Sequence, residues 1–193
     1  FLFETLNALQ TSIEALYARL TLRKMNKQLS QLYIHDSLTG LYNRMAYEKL
    51  ALSLFHQCMR ENQPVGIMFV DADHLKYIND NFGHDMGNLA ISSIASVLRQ
   101  LCPAESISMR YGGDEFVCVI PYSDELQMQE LAHTLQASLD SLSANSRVGF
   151  PIEASIGWVI AEDPVLTLND YINLADEKMY SAKKSRKAER KDS

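Results

Sequence analysis

Cysteines and long apolar runs are both scarce in this chain of 193 residues, and each scarcity excludes a class of protein. Cys58, Cys102 and Cys118 are far apart and show no Cys-x-x-Cys spacing, so neither a disulfide framework nor a zinc site is predicted. No stretch approaches the roughly 18 consecutive apolar residues of a membrane-spanning helix. A secretory signal pattern is also missing. We therefore expect a reducing, cytoplasmic setting and no membrane contact by this part of the protein.

The composition is that of a folded globular domain with a short additional element. Hydrophobic residues make up 47% of the chain and charged residues 22%, and the net charge is -6. That charge argues against a general nucleic-acid surface. The last eleven residues contain six Lys or Arg, which is typical of a solvated tail. Because the chain begins with Phe1, we expect it to be part of a longer protein whose upstream sensor, with or without a membrane anchor, lies outside this sequence.

Residues 1–35 show a heptad pattern without Pro or Gly. It predicts one helix, roughly 50 Å long, that pairs with a second copy as a parallel two-stranded coiled coil. The alternative is a helix that folds back on its own domain. The apolar positions change phase after Leu20, where two helix registers could compete. These positions are Leu2, Leu6, Leu9, Ile13, Leu16, Leu20, and then Leu22, Met25, Leu29 and Leu32.

The remainder of the chain predicts an α+β fold. Asp36–Asn43 is rich in turn-forming residues and separates the first helix from a helix that ends near Asn62. The following order is strand, helix, strand, strand, helix, strand, with a final helix, and it indicates a ferredoxin-like βαββαβ sheet with helices packed on it. The predicted strands are Val65–Val70, Ile107–Tyr111, Phe116–Ile120 and Ile152–Ala161; the helices between and after them are Gly87–Leu101, Asp124–Leu142 and Leu168–Lys184.

This topology brings acidic residues to one edge of the sheet. The crossover helix makes the first two strands parallel, so Asp71 and Asp73 should face the hairpin that contains Asp114 and Glu115. Four converging carboxylates would repel one another unless a cation lay between them, and Mg²⁺ suits such a site. The alternative is that all four are solvated turn residues. Gly112-Gly113 likewise fits either a simple hairpin or the close approach of a nucleotide to the backbone.

Several segments together resemble one known family. Arg110-Tyr-Gly-Gly-Asp-Glu-Phe116 resembles the motif of the GGDEF diguanylate cyclases, which condense two GTP molecules into cyclic di-GMP and release two pyrophosphates. The resemblance covers about residues 36–184 and implies a nucleotidyl-cyclase-type sheet. It also divides the chain into a dimerisation helix (1–35), a GGDEF catalytic domain (36–185) and a basic tail (186–193). The other similar segments are Asp36–Arg44, Asp71–Gly87, Ala154–Gly157 and Ala175–Lys183.

The resemblance implies a role for each matching residue. Asp71 and Asp114 would bind Mg²⁺, or Mn²⁺ as the alternative ion, with the Ala72 carbonyl and Glu115 beside them. Asp114 would accept the proton of the attacking ribose 3′-hydroxyl, and Lys76 and Lys183 would lie near the phosphates. Lys76 as a surface lysine and His84 as a structural histidine are the alternatives. The residues implied in substrate binding are His74, Leu75, Asn79, His84, Asn88, Arg110, Gly112 and Gly113.

The sequence departs from the family pattern at three places. Position 88 is usually Asp, and Asn88 offers guanine one acceptor instead of two, so we expect guanine to bind with weaker discrimination. A cyclase that also makes mixed cyclic GMP-AMP is the alternative. Pro103–Ser106 replaces the Arg-x-x-Asp site at which many members bind their product, so product inhibition through it is not expected. Ser185–Lys187 stands where the family often has Gly-Arg-Asn, which leaves contacts there undefined.

The implied reaction requires two domains that face each other, because each holds one GTP and the product joins two nucleotides. The N-terminal helix would supply the homodimer and transmit a signal from upstream. The rival interpretation is a catalytically silent GGDEF module that binds GTP as a sensor. A purely structural coiled-coil protein would leave the converging acids unexplained.

Overall fold

The computed structural model describes residues 2–145 and 148–189 and divides into two compact units, residues 1–35 and 36–193. The first unit consists mainly of helix α1, Leu2–Tyr33. The seam residues Ile13, Leu16 and Leu20 are more than half exposed on it. The predicted seam positions Leu2, Leu6, Leu9, Leu29 and Leu32 lie outside the described side chains, so the pairing of this helix stays a prediction.

The second unit is a mixed sheet of five strands covered by helices, and residues 190–193 of the predicted tail fall outside its described part. The strands are β1 (Tyr42–Asn43), β2 (Val65–Ala72), β3 (Ile107–Arg110), β4 (Glu115–Pro121) and β5 (Ala154–Ala161). The helices are α2 (Leu52–Arg60), which continues a π-helical turn at Tyr47–Ala51, α3 (Leu75–Phe82), α4 (His84–Leu101), α5 (Glu125–Asn145) and α6 (Leu168–Glu189).

The strand order β1-β3-β4-β2-β5 confirms the predicted ferredoxin-like sheet. β2 pairs antiparallel with both β4 and β5, and β3 pairs antiparallel with β4. β2 and β3 are therefore parallel, as expected, but β4 lies between them. Two elements were not predicted: β1, a two-residue strand parallel to β3, and the short helix α3. Neither is long enough to show a clear periodicity.

The sheet is buried on both faces, which explains the unbroken apolar run of β2. Successive side chains of a strand point to opposite faces. Met68 and Val70 pack with residues of α4 and α5 in one cluster, whereas Ile67 and Phe69 pack with residues of α2 and α6 in the other. Asp71 continues the odd-numbered series. The carboxyl end of β2 therefore directs this acid to the side of the sheet on which α6 lies.

Helix α6 lies directly against β5 at a glycine. A Cβ added to Gly157 would lie 2.3 Å from the carbonyl oxygen of Ala175 and 2.2 Å from the amide nitrogen of Met179. Only a residue without a side chain allows this approach of two backbones. Ala175, Met179 and Lys183 follow one another at intervals of four residues, so they share a face of the helix. The close approach at Gly157 thus fixes the distance of Lys183 from the sheet.

No helix among residues 2–145 and 148–189 combines the length and the hydropathy that crossing a bilayer requires.

Candidate active site

The catalytic hairpin predicted from the sequence lies beside the end of β2. Asp71 pairs directly with Glu115 in the β2–β4 register, and the Ala72 amide donates a hydrogen bond of 2.9 Å to the carbonyl oxygen of Asp114. The hairpin is closed by the amides of Tyr111 and Gly112, which both donate to the Glu115 carbonyl. The structure therefore brings the two acids of the hairpin to Asp71, as the topology predicted.

A cleft of about 470 Å³ opens between this hairpin and helices α3 and α4. Its wall includes eight of the residues predicted to act in catalysis or substrate binding, and also Asp80, Gly87 and Ile91. The eight are Leu75, Lys76, Asn79, His84, Asn88, Arg110, Gly113 and Asp114. The cleft is therefore formed by the segment after β2 and by the hairpin, which are distant in sequence.

His74 and Gly112 lie next to this cleft. His74 precedes α3 with a left-handed backbone (φ 60°), and its Nε2 is 3.8 Å from a carboxylate oxygen of Glu153. Gly112 leaves room for the Glu115 carboxylate, since an added Cβ would lie 2.2 Å from Glu115 Oε2. Gly113 has open space where a side chain would be. The two glycines thus differ: one accommodates a neighbouring acid and the other keeps the cleft open.

Gly87 is a cleft residue to which the sequence interpretation gave no role of its own. A Cβ at this position would lie 1.9 Å from Asn79 Oδ1 and 3.2 Å from Leu75 Cδ1. A glycine inside a helix is itself a sign of close approach, and this one allows the Asn79 amide to lie against α4. The placement of a predicted base-binding residue therefore depends on the missing side chain of Gly87.

Arg110 connects the hairpin to the start of the domain. Its guanidinium donates to the Gly113 carbonyl at 2.7 and 3.1 Å and forms an ion pair of 3.1 Å with Asp36. Asp36 also accepts hydrogen bonds from the backbone amide and the hydroxyl of Thr39. Burial opposes ionisation of Asp36, but these hydrogen bonds and the charge of Arg110 outweigh it and lower the pKa. The hairpin is thus held in place by an acid 74 residues earlier.

The remaining acids form a cluster of negative charge. The pKa of Asp71 is raised by burial and by the charges of Asp114 and Asp73, although Lys183 partly offsets them. The pKa of Glu115 is raised by burial and by Asp114, Asp71 and Asp176, although Arg44 partly offsets them. Asp114 belongs to both parts of the site, because it also lines the cleft. The cleft and the carboxylates therefore adjoin at this residue.

Lys183 pairs with two of these acids. Its Nζ donates to Asp71 Oδ1 and lies 3.0 Å from Asp73 Oδ1. Burial alone would lower the pKa of Lys183, but the two carboxylates outweigh it and raise the pKa. Asp73 accepts from the Ser155 hydroxyl through both oxygens, at 3.0 and 2.8 Å. Of the four acids expected to converge, Asp73 is thus turned toward β5 and α6.

The donor set suits a divalent metal that completes its coordination with water and substrate. In the described part of the chain, no three His, Cys, Asp or Glu side chains form a ready metal cage. Mg²⁺, however, is usually held by one or two carboxylates together with phosphate oxygens and water. Burial and the neighbouring acids both raise the pKa values of Asp71 and Glu115, and a cation held by Asp71, Asp114 and Glu115 would offset both effects. These residues therefore fit such an ion.

A cleft and a carboxylate cluster that adjoin on a ferredoxin-like sheet define a domain of the nucleotidyl cyclase type. Residues 33–189 match the family described as diguanylate cyclase, GGDEF domain. The chain belongs to this family. GGDEF cyclases generally depend on a divalent metal, and GGDEF domains bind GTP and act as dimers.

Curated relatives include enzymes of this name. The chain is 33% identical to diguanylate cyclase VdcA of Vibrio cholerae over 174 residues, which are 86% of this chain and 50% of the relative. It is 32% identical to the bifunctional diguanylate cyclase/cyclic di-GMP phosphodiesterase MucR of Pseudomonas aeruginosa over 163 residues, 84% of this chain and 24% of the relative. The chain thus spans half or less of the length of these two relatives.

Solved structures share the fold over most of the chain. The coiled coil and GGDEF domain of DgcB from Caulobacter crescentus, solved with c-di-GMP, has a TM-score of 0.77 and 22% identity, and covers 92% of this chain and 95% of that one. Diguanylate cyclase SiaD from Pseudomonas aeruginosa, solved with its activator SiaC, has a TM-score of 0.74 and 25% identity, and covers 94% of this chain and 70% of that one. The first likeness shows the fold alone.

Proposed function

We propose that this chain is a diguanylate cyclase that condenses two GTP molecules into cyclic di-GMP and two pyrophosphates. The observation that supports the proposal is the pairing of Asp71 with Glu115, together with the cleft of about 470 Å³ that Asp114 of the same hairpin lines. In each half of the reaction a ribose 3′-oxygen forms a bond to the α-phosphorus of the other GTP. The bond from that phosphorus to the bridging oxygen breaks, and pyrophosphate leaves.

Different residues of the chain would bind the metal, accept the proton and contact the phosphates. Asp71, Asp114, Glu115 and the Ala72 carbonyl would hold Mg²⁺, or Mn²⁺, and the bound ion would neutralise charge that develops on the phosphates. Asp114 lines the cleft as well, which supports it as the acceptor of the 3′-hydroxyl proton. Lys76 borders the cleft on α3, and Lys183 reaches the carboxylates from α6. Both ammonium groups would attract phosphate oxygens of the bound nucleotide.

The reaction requires two copies, and helix α1 supports their association. Its exposed apolar residues include Ile13, Leu16, Leu20, Leu22 and Met25. A single helix cannot bury such a stripe, whereas a parallel pair can. We therefore propose a homodimer joined through residues 1–35, with an upstream sensor acting on it and the phase change after Leu20 as the point where the register can shift.

Base selection is proposed to rest on Asn79 and Asn88, which both line the cleft. An amide at position 88 offers guanine one acceptor oxygen where a carboxylate offers two, so GTP should bind with weaker preference over ATP than a carboxylate would give. Equal GTP and ATP in one reaction measure this directly. Formation of cyclic di-GMP alone would remove the proposed mixed product, cyclic GMP-AMP.

Product inhibition through the segment Pro103–Ser106 is not expected. This segment is a tight turn in which the Ser106 amide and hydroxyl both donate to the Pro103 carbonyl, at 3.0 and 2.5 Å. It offers neither a guanidinium nor an aspartate to a bound product. Binding of cyclic di-GMP at micromolar concentration, mapped to this turn, would overturn the expectation.

The proposed function is tested by incubation with GTP and Mg²⁺ followed by chromatography of the nucleotides. We expect cyclic di-GMP and pyrophosphate from the parent and none from Asp114→Ala. Binding of GTP without turnover would favour the silent sensor module instead. A parent protein that neither binds nor converts GTP would refute both proposals.

A further inference from the structure

Lys183 is shared between two carboxylates that have different surroundings. Asp71 belongs to the cluster with Asp114 and Glu115, whereas Asp73 is 7% exposed and lies behind it. Lys183 contacts both acids, and its own side chain is 22% exposed. An ammonium group has three donors, so it can leave one acid and keep the other.

Asp73 is fixed more firmly than Asp71. Ser155, which is fully buried, donates its hydroxyl to both carboxylate oxygens of Asp73. The backbone amide of Asp73 in turn donates to the Glu153 carbonyl at 2.8 Å. Ser155 stands two residues before Gly157, the point where β5 touches α6. Strand β5 therefore sets the position of Asp73 and the depth of the helix that carries Lys183.

We propose that Asp73, held by Ser155, is a positioning residue that draws the Lys183 ammonium partly away from Asp71, and that Lys183 serves as the counter-ion of Asp71 while no metal is bound there. The proposal rests on the proposed function only in assigning Asp71 to the metal. A lysine that pairs with Asp71 competes with a divalent cation for the same carboxylate. Asp73 weakens this competition, because it offers Lys183 a second partner.

Two consequences for metal affinity follow. Removing the Lys183 charge should strengthen metal binding, although Lys183 is also proposed to assist the reaction. This gain in metal affinity should be larger when Asp73 has lost its charge, because Asp71 is then the only one of the two acids left to form an ion pair with Lys183. A purely structural role of Asp73 predicts the same gain with and without its charge.

The experiment measures Mn²⁺ binding without nucleotide, from the electron paramagnetic resonance signal of the free ion. The proteins are the parent, Lys183→Met, Asp73→Asn and the double variant. Lys184→Met is the matched control, because Lys184 is the next residue on α6 and lies 4.3 Å from the Tyr180 ring centroid. We expect Lys183→Met to bind Mn²⁺ roughly three- to tenfold more tightly than the parent. Lys184→Met should stay within about twofold of the parent.

The double-variant comparison tests Asp73. The ratio of dissociation constants between Asp73→Asn and the double variant should exceed the ratio between the parent and Lys183→Met. If Asp73→Asn does not fold, Ser155→Ala replaces it in the same comparison. An equal or smaller ratio would overturn the positioning role. Unchanged or weaker Mn²⁺ binding by Lys183→Met, or no binding up to millimolar ion, would overturn the counter-ion role. These measurements of Mn²⁺ binding do not involve turnover. Failure of the cyclase assay and failure of this proposal can therefore be distinguished.

Discussion

Replacement of Gly157 by alanine should separate α6 from β5. The new Cβ would lie 2.2 to 2.3 Å from backbone atoms of Met179 and Ala175, where ordinary contacts begin at 3.4 Å. Backbone atoms cannot rotate away, so the helix must retreat by about 1 Å, and overpacking of this kind costs typically 1–3 kcal/mol. For a chain of this size, 2 kcal/mol lowers the Tm by roughly 4–8 °C. Differential scanning calorimetry of metal-free protein measures the shift.

The same displacement should affect activity, because Lys183 follows Met179 by one turn of α6. A misplacement of about 1 Å in a site can reduce turnover on the order of a hundredfold. Gly113→Ala is the control for stability, since no atom lies within 4 Å of its added Cβ. Its Tm should stay within about 1 °C of the parent. Equal melting temperatures of Gly157→Ala and the parent would refute the argument that α6 is placed by this contact.

Three further predictions concern the carboxylates, the base and the dimer. Burial and Asp114 raise the pKa of Glu115, so the ionised side chain destabilises the folded state at pH values above the pKa it has in the unfolded chain. Glu115→Gln should therefore raise the Tm of the metal-free protein at pH 7. The increase in Tm should shrink as the pH falls toward about 4. A lower Tm at pH 7 would contradict this. Asn88→Asp should increase the preference for GTP over ATP in a competition assay roughly tenfold, the effect of about 1.4 kcal/mol from one added acceptor; an unchanged ratio would place base selection elsewhere. Leu16→Lys should weaken dimerisation in analytical ultracentrifugation at least tenfold, whereas Ala18→Lys, on the outer face of the heptad, should not; equal effects would argue against the predicted seam.

Much of the fold was readable from local patterns. The apolar run Val65–Val70, the helical face after Gly87 and the paired strands around Gly112-Gly113 correspond to β2, α4 and the β3–β4 hairpin. Their order was sufficient for the ferredoxin-like topology. The short elements β1 and α3 were not predicted, because β1 has only two residues and α3 only eight.

The nucleotide side of the site was also largely readable, because its residues lie in contiguous segments. The cleft contains eight of the predicted residues, and they come from the stretch after β2 and from the hairpin. The sequence did not predict which residues hold these cleft residues in position. Asp36 restrains Arg110, and Gly87 makes space for Asn79, yet neither role has a local pattern of its own.

The sequence by itself determined that acids follow a buried strand and occupy a hairpin, because strand periodicity and turn residues are local properties. Only the tertiary structure decided which partners these acids have. Asp71 and Asp73 have the same charge and both contact Lys183, but Ser155, 82 residues after Asp73, donates its hydroxyl to both oxygens of Asp73. The contact of Gly157 with α6 then sets the reach of Lys183. The partners of these side chains depend on how helix α6 packs against strand β5, which is distant from it in sequence. The local spacing of residues does not predict that packing.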